Sequence, residues 1–132
     1  MFSVDNEERM RINGDISGTA LDSALEVEGD IIAFASTYSS DIALKENINP
    51  ITNALDKLIQ LGGYTFDWKN KKRGSSTGLI AQEVEKVLPD LVKDQNGLHK
   101  HKTLNYNGII GLLVESIKEL KNEVESLKNS KS

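Results

Sequence analysis

The most regular pattern of hydrophobic positions lies at the end of the chain, where apolar residues alternate intervals of three and four. This spacing is that of the a and d positions of a coiled coil, and it predicts a helix over residues 107–129. The stripe consists of Ile110, Leu113, Ile117, Leu120, Val124 and Leu127. Because the other faces are polar, the pattern favours covering of this stripe by further copies of the chain. The alternative is a terminal helix that docks the stripe on its own domain.

Two shorter helices are predicted upstream. The Asn-Pro pair at 49–50 is typical of a helix start, apolar positions follow at helical spacing, and the Gly-Gly pair at 62–63 ends the element. A second helix is predicted over 79–88 and ends before Pro89. Its predicted apolar face consists of Ile80, Val84, Val87 and Leu88.

Strand patterns follow each of these helices. Tyr64, Phe66 and Trp68 alternate with other residues, which predicts a short strand with three aromatic side chains on one face. A polar loop is predicted over 69–76. The Asn-Gly pair at 96–97 predicts the turn of a β-hairpin.

Within residues 1–40, β-branched residues flank two Gly-Asp pairs. The motif at 12–16 returns fifteen residues later at 27–31. Such pairs are turn signals between strands. Because two copies cannot bury a core alone, either neighbouring chains supply partner strands or the motifs are two ordinary hairpin turns.

Charge also divides the chain. Residues 1–40 carry eight acids and two bases, whereas residues 41–132 carry twelve acids and fourteen bases, within a net charge of −4. This asymmetry predicts two modules. The net negative charge argues against nucleic-acid binding. The lack of cysteine excludes a disulfide scaffold. No apolar run approaches the length of a membrane span, so no membrane partner is expected.

Ser40 and Lys45 are a candidate pair of nucleophile and base. A serine hydroxyl becomes nucleophilic when a base removes its proton, and a desolvated lysine can be that base. The apolar neighbours Ile42 and Leu44 favour the neutral amine by making its charged form costly. Five residues of separation place two side chains apart on a helix and on opposite faces of a strand. The pair therefore needs a turn between its residues, or a lysine from a neighbouring chain; otherwise it is a linker serine and a surface lysine.

Several motifs, in order, resemble the peptidase S74 family. Its members are self-cleaving carboxy-terminal intramolecular chaperones of phage tail-spike, tail-fibre and neck-appendage proteins, endosialidases included. The resemblance covers about residues 39–128. The motifs that carry it are Ser40-Asp41-x-x-Leu44-Lys45, Ile48-x-Pro50-Ile51, Gly63-x-x-Phe66-x-Trp68, Gly78-Leu79-Ile80-Ala81-Gln82-Glu83-Val84 and the final Tyr106-Asn107 with Ile117-Lys118-Glu119-Leu120.

The resemblance implies an α+β fold. Residues 1–40 would be the end of a fibre or spike β-stalk, and residues 41–132 a compact chaperone domain whose carboxy-terminal helix forms a trimeric bundle or coiled coil. The implied partners are two further copies, making a homotrimer, and the preceding β-stalk of the same polypeptide. The implied protein is a virion tail precursor whose chaperone part acts in the host cytoplasm and is then released. We expect no cofactor and no metal, and we expect the chain to be the end of a larger protein.

Position by position along the family's motif, the resemblance implies that Ser40 is the nucleophile and Lys45 the general base. It implies that Asp41 lies at the cleavage site. The expected cleavage site is the Ser40–Asp41 bond, with the bond before Ser40 as the second choice. The implied enzyme is an autocatalytic serine endopeptidase that cuts itself once. The alternative function is a non-catalytic trimeric fibre tip or adhesin in which Ser40 and Lys45 are inert.

Two other motifs allow a chemical interpretation. The basic run at 69–73 is either a patch that binds nucleic acid or phosphate, or a solvated loop. The net negative charge of the chain favours the loop. His99 and His101 are either part of a metal site or residues of a half-exposed hairpin. The hairpin is favoured because no cysteine or carboxylate stands close by in sequence.

Overall fold

The computed structural model describes residues 2–4, 7–12, 25–94 and 101–131, with side chains described over 25–94 and 101–131. The chain divides into two compact units, Met1–Asn47 and Ile48–Ser132. Both contain small antiparallel sheets, and the described α-helices belong to the second unit. The expected mixture of helices and small sheets, with a long carboxy-terminal helix, is confirmed.

Three short strands form the sheet of the first unit, in the order β1 (Phe2–Val4), β2 (Glu7–Ile12) and β3 (Leu25–Val27). The second copy of the sequence repeat leaves this sheet after β3, and Gly29 lies in a bend with a φ of +138°, which suits glycine. The predicted turn at this copy therefore ends a strand instead of joining two. The turn of the first copy, over 13–16, lies outside the described residues.

A buried apolar cluster of the second unit joins three elements: α2 (Ala81–Val87), β6 (Val92–Asp94) and α3 (Asn107–Ser130). Val84 and Ile109 are buried side by side with the first residue of β6. The partly buried residues that pack around them are Leu61, Leu79, Ala81, Leu88, Leu91 and Leu104. This small apolar cluster therefore packs the start of the long helix against the middle of the unit.

The aromatic strand is confirmed for Tyr64 and Phe66 as β4 (Tyr64–Asp67), which pairs antiparallel with β5 (Ser75–Gly78), whereas Trp68 lies just beyond its end. The loop between them is shorter than the predicted 69–76, because its last two serines belong to β5 and complete the ladder. The rings of Phe66 and Trp68 meet edge to face with centroids 5.1 Å apart.

The hairpin predicted from the Asn-Gly pair is confirmed by the pairing of β6 with β7 (Lys102–Leu104), in which Val92 lies opposite Leu104. Its predicted Asn-Gly turn at 96–97 lies outside the described residues.

The predicted start of the first helix is wrong. The helix α1 spans Ala54–Leu58 and begins four residues after Pro50. Its N-cap, Asn53, has a φ of 51° and makes no side-chain cap hydrogen bond. The first N–H groups of α1, on Ala54 and Leu55, instead donate to the carboxylate of Glu119 on α3, at 2.6 and 3.3 Å. A tertiary contact therefore sets the start of this helix, and no local signal predicts it.

The helix α2 is shorter than predicted and its apolar face is displaced. It begins at Ala81 and ends before Pro89, which opens a 3₁₀ turn. Val84 is fully buried as expected, but Ile80 is 41% exposed. Leu79 takes the predicted place of Ile80 beside the core, because the chain at Ile80 is still extended.

The helix α3 is confirmed over its whole predicted range, but the face that docks is not the predicted one. The docked residues are Ile109, Leu112 and Ser116, each one position before a member of the predicted stripe. All six stripe residues are exposed in the single chain, from 41% at Leu113 to 65% at Ile117. The helix therefore has two apolar faces, of which its own unit covers one. None of the described helices is long and apolar enough to cross a membrane.

Candidate functional site

A single 3₁₀ turn separates Ser40 from Lys45. Asp41 is extended, with φ −65° and ψ 139°, and residues Ile42–Leu44 form the turn. The N–H of Leu44 donates to the carbonyl of Asp41 at 3.0 Å, and the N–H of Lys45 donates to the carbonyl of Ile42 at 3.1 Å. The turn that the spacing of the pair requires is therefore present within one chain.

The turn brings the two candidate side chains together. The Nζ of Lys45 donates a hydrogen bond to the Oγ of Ser40 at 2.6 Å. This distance is within the range over which a proton can pass between a nucleophile and its base. The serine and the lysine in this contact belong to the same chain.

Asp41 contributes to the turn and not to the hydroxyl–amine contact. Its Oδ1 accepts a hydrogen bond from the N–H of Ala43 at 2.8 Å. This is the usual geometry of an aspartate that caps a turn two residues ahead. The three predicted site residues therefore lie in one short segment, two at the contact and one at the base of the turn.

The expected apolar surroundings of the amine are absent from the single chain. Ser40 and Lys45 are both exposed. The side chains of Ile42 and Leu44 are 74% and 72% exposed, so they do not cover the amine. A lysine can act as a base in its neutral form, and burial is one way to favour that form. The hydroxyl and the amine therefore lie at hydrogen-bond distance on an exposed turn.

The structure describes the basic run at 69–73 and one of the two candidate histidines. The basic run includes a 3₁₀ turn at Lys71–Arg73, is exposed, and places the guanidinium of Arg73 over the ring of Trp68 at 4.9 Å. His101 is exposed, and His99 lies outside the described residues. Over 25–94 and 101–131, no group of three histidines and carboxylates is arranged to hold a metal ion.

Sequence reasoning missed several polar contacts that hold the second unit. The carboxylate of Glu83 accepts from the N–H of Gly62 at 2.9 Å and from the hydroxyl of Tyr64 at 2.8 Å. That hydrogen bond, with some burial and the nearby charge, raises the pKa of Tyr64 above its ordinary value. Lys102 donates to Asp94 and Glu85, and both carboxylates raise the pKa of its amine. These partners are distant in sequence, so no local pattern indicates them.

The described residues thus contain a mixed α and β unit with a long carboxy-terminal helix, preceded in sequence by a serine–lysine contact. Residues 40–93 match the Peptidase_S74 family, described as the chaperone of endosialidase. The match confirms the resemblance to this family for that part of the chain, and it begins at Ser40.

Curated relatives of the chain are long tail fibre proteins, each named Gp37. That of Salmonella phage S16 is 41% identical over 106 residues, which cover 69% of this chain and 14% of the relative. That of Escherichia phage AR1 is 40% identical over 87 residues, covering 61% of this chain and 8% of the relative. That of Enterobacteria phage T2 is 36% identical over 96 residues, which cover 68% of this chain and 7% of the relative. The chain thus spans only a small part of the length of these relatives.

Proposed function

We propose that this chain is part of a phage tail-fibre precursor and that residues 41–132 are its intramolecular chaperone. The chaperone promotes trimerisation and folding of the preceding β-stalk, of which residues 1–40 are the end, and is then released by autoproteolysis. The observation that carries the proposal is the 2.6 Å hydrogen bond between Lys45 Nζ and Ser40 Oγ. It lies at the first residue of the segment that matches the chaperone family, and the relatives are tail-fibre proteins.

The proposed chemistry uses Lys45 as base and Ser40 as nucleophile. A neutral Lys45 amine takes the proton of the Ser40 hydroxyl, whose oxygen then attacks a peptide carbonyl carbon. As the peptide bond breaks, the ammonium of Lys45 returns the proton to the leaving nitrogen, and water hydrolyses the ester that has formed. The hydrogen bond in the structure already joins the two atoms between which the first proton moves.

The two candidate bonds make different demands on Ser40. Attack by its hydroxyl on its own carbonyl, which would cut Ser40–Asp41, closes a strained four-membered ring. That cut therefore uses the hydroxyl of a neighbouring copy, or a water molecule that the dyad deprotonates. Attack on the carbonyl of Ser39 closes an unstrained five-membered ring within one chain. We propose the Ser40–Asp41 bond, following the family, and the first residue of the released fragment distinguishes the two routes.

Assembly is proposed to activate the lysine. In the single chain Lys45 is exposed, and so are Ile31, Ile32, Phe34 and Tyr38 in the segment that precedes it. Neighbouring copies that cover this apolar segment would remove water from the turn as well, and burial favours the neutral amine. Cleavage would then follow assembly, and the released fibre could not easily reverse it.

The exposed stripe of α3 supports the proposed trimer. Six apolar side chains at a and d spacing leave a long apolar surface exposed on a helix whose other apolar face is already docked. Helices with this spacing bury such a stripe against one another. Holding three carboxy-terminal ends together raises the effective concentration of the three stalk segments, whose non-local strand contacts form slowly.

Gel electrophoresis of the purified, denatured chain tests the proposal. The wild-type chain is expected to give fragments of about 4 and 10 kDa, in proportion to 40 and 92 of the 132 residues of a 14.6 kDa chain. Ser40→Ala and Lys45→Ala should leave the chain whole and still trimeric. Ser39→Ala is the matched control, because it removes the adjacent hydroxyl and should be cut as the wild type is.

The alternative, a non-catalytic fibre tip or adhesin, is favoured by one observation, the exposure of Lys45 in the single chain. It predicts a trimer in which wild type and both variants stay whole. Cleavage that persists in both Ser40→Ala and Lys45→Ala would instead remove the dyad from the proposal.

A further inference from the structure

The proposed dyad depends on a turn that has few bonds of its own. Two backbone hydrogen bonds close the turn, one to the carbonyl of Asp41 and one to that of Ile42. All of its residues are exposed, so no burial supports it in the single chain. Short 3₁₀ segments have strained hydrogen bonds and are marginal in water. A third bond that restrains the same residues therefore has a large effect on how often Lys45 lies beside Ser40.

Asp41 supplies that third bond. Its Oδ1 accepts from the N–H of Ala43 at 2.8 Å while its own carbonyl accepts from Leu44 at 3.0 Å. One residue thus restrains the turn through its side chain and its main chain. An extended N-cap that carries a short side-chain oxygen is the arrangement that satisfies otherwise unpaired N–H groups at the start of a turn or helix.

We infer that Asp41 is a positioning residue in self-cleavage: its carboxylate caps the Ile42–Leu44 turn and so holds Lys45 against Ser40, and it takes no proton in the reaction. The inference rests on the proposed function and deepens it. Asp41 also carries the nitrogen that leaves when the Ser40–Asp41 bond breaks, so the residue that holds the turn becomes the first residue of the released fragment. Its requirement is an oxygen acceptor on a short side chain, and not a negative charge.

Three substitutions of Asp41 distinguish a requirement for its side-chain oxygen acceptor from a requirement for its negative charge. Asp41→Asn keeps a side-chain oxygen at the same distance from the backbone and loses the charge. Asp41→Glu keeps the charge but lengthens the side chain, which removes it from the preferred capping residues. Asp41→Ala loses both.

The test is the fraction of chain cut over time, measured by mass spectrometry of the full-length chain, with the oligomeric state of each variant checked by light scattering. We expect Asp41→Asn to be cut within about threefold of the wild-type rate, and Asp41→Ala and Asp41→Glu about tenfold more slowly, the effect of losing a cap on a local equilibrium. The dependence of the Asp41→Asn rate on pH should have the wild-type shape, because the base is unchanged.

The opposite order, with Asp41→Glu cut and Asp41→Asn whole, overturns the inference, because the charge would then be essential. Equal rates in all variants, or loss of cleavage in all three correctly assembled variants, overturn it as well. Amide hydrogen exchange at Ala43, measured in a Ser40→Ala background, gives an independent readout that needs no cleavage. This amide should exchange slowly with Asp or Asn at position 41 and faster with Ala, and equal exchange in all three contradicts the cap. A wild-type chain that is never cut removes the proposed function itself, which is a different result from any difference among the Asp41 variants.

Discussion

At the scale of single residues, carboxylates on the helices hold backbone segments that lie far away in sequence. Glu119 accepts from the N–H groups of Ala54 and Leu55, 65 and 64 positions earlier. Glu83 accepts from the N–H of Gly62 and from the hydroxyl of Tyr64. The N–H groups belong to a helix start and to a glycine before a strand, and these carboxylates are the acceptors of their hydrogen bonds. Each carboxylate therefore ties a short element to a longer one.

The cap supplied by Glu119 gives a stability prediction. Replacing Glu119 with Ala leaves the two N–H groups at the start of α1 without this acceptor, and should lower the free energy of unfolding by about 1 kcal/mol. Glu119→Gln keeps an oxygen acceptor and should lose less. Urea unfolding, followed by circular dichroism in a Ser40→Ala background so that the chain stays whole, measures both. Equal unfolding of Glu119→Ala and the parent would show that the carboxylate does not hold α1.

The contact between Tyr64 and Glu83 gives a pH prediction. The pKa of Tyr64 is raised above its ordinary value of 10.0 because its hydroxyl donates to a carboxylate. A raised pKa in the folded state means that this contact stabilises the fold below pH 10 and is lost as the pH rises through the folded pKa. In Glu83→Gln the tyrosine should ionise at lower pH, measured by tyrosinate absorbance, with Tyr64→Phe identifying its signal. An unchanged titration in Glu83→Gln would contradict the cause given for the shift.

Local patterns predicted the geometry of the segment from Ser40 to Lys45 better than they predicted its surroundings. The spacing of Ser40 and Lys45 required a turn, and a turn is what the structure contains. The capping role of Asp41 also has a sequence signal, because aspartate is a preferred residue at the start of a turn. The apolar covering expected from Ile42 and Leu44 is absent, since neighbouring side chains on an exposed turn point to solvent unless another surface meets them.

At the scale of elements, the long helix explains which sequence predictions succeed. Periodicity alone predicts a helix at the end of the chain, and α3 confirms it. Periodicity does not determine which stripe docks, because the two apolar faces are offset by one residue and both have helical spacing. The start of α1 was predicted wrongly for a related reason. Its N–H groups are paired by a residue on α3, and a contact across 65 positions leaves no local signal.

The exposed face of α3 gives an assembly prediction. Ile117 is 65% exposed in the single chain, so Ile117→Asp should leave the folded unit intact. In the proposed trimer the same change sets three carboxylates facing one another in an apolar interface, and should prevent assembly. Light scattering is expected to give the mass of one chain in place of three. Asn122→Asp, which makes the same change in charge on a polar face of the helix, should remain trimeric.

The result for Ile117→Asp also bears on when cleavage occurs. If neighbouring copies supply the covering of Lys45, the unassembled variant should stay uncut although its Ser40 and Lys45 are unchanged. Full cleavage of a chain that light scattering shows to be single would contradict activation by assembly, and would leave the dyad itself in place.

At the scale of the whole molecule, the chain joins an acidic unit of short strands to a unit that carries the docked helices. The first unit contains the serine–lysine contact and an exposed apolar segment, and the second contains the helix with the exposed stripe. Each unit thus has apolar residues that a single chain does not cover. An assembly of several copies can cover them, and this requirement is common to the chaperone proposal and to its alternative.

The measurement that tests the account most directly is the mass and first residue of the fragments from purified, assembled wild-type chain, compared with Lys45→Arg. Arginine keeps the positive charge and can donate to Ser40, but it does not release its proton. The account predicts a released fragment that begins at Asp41 in the wild type, and a whole chain of the same oligomeric state in Lys45→Arg. An assembled wild-type chain that stays whole, or a Lys45→Arg chain cut at the wild-type rate, would contradict it.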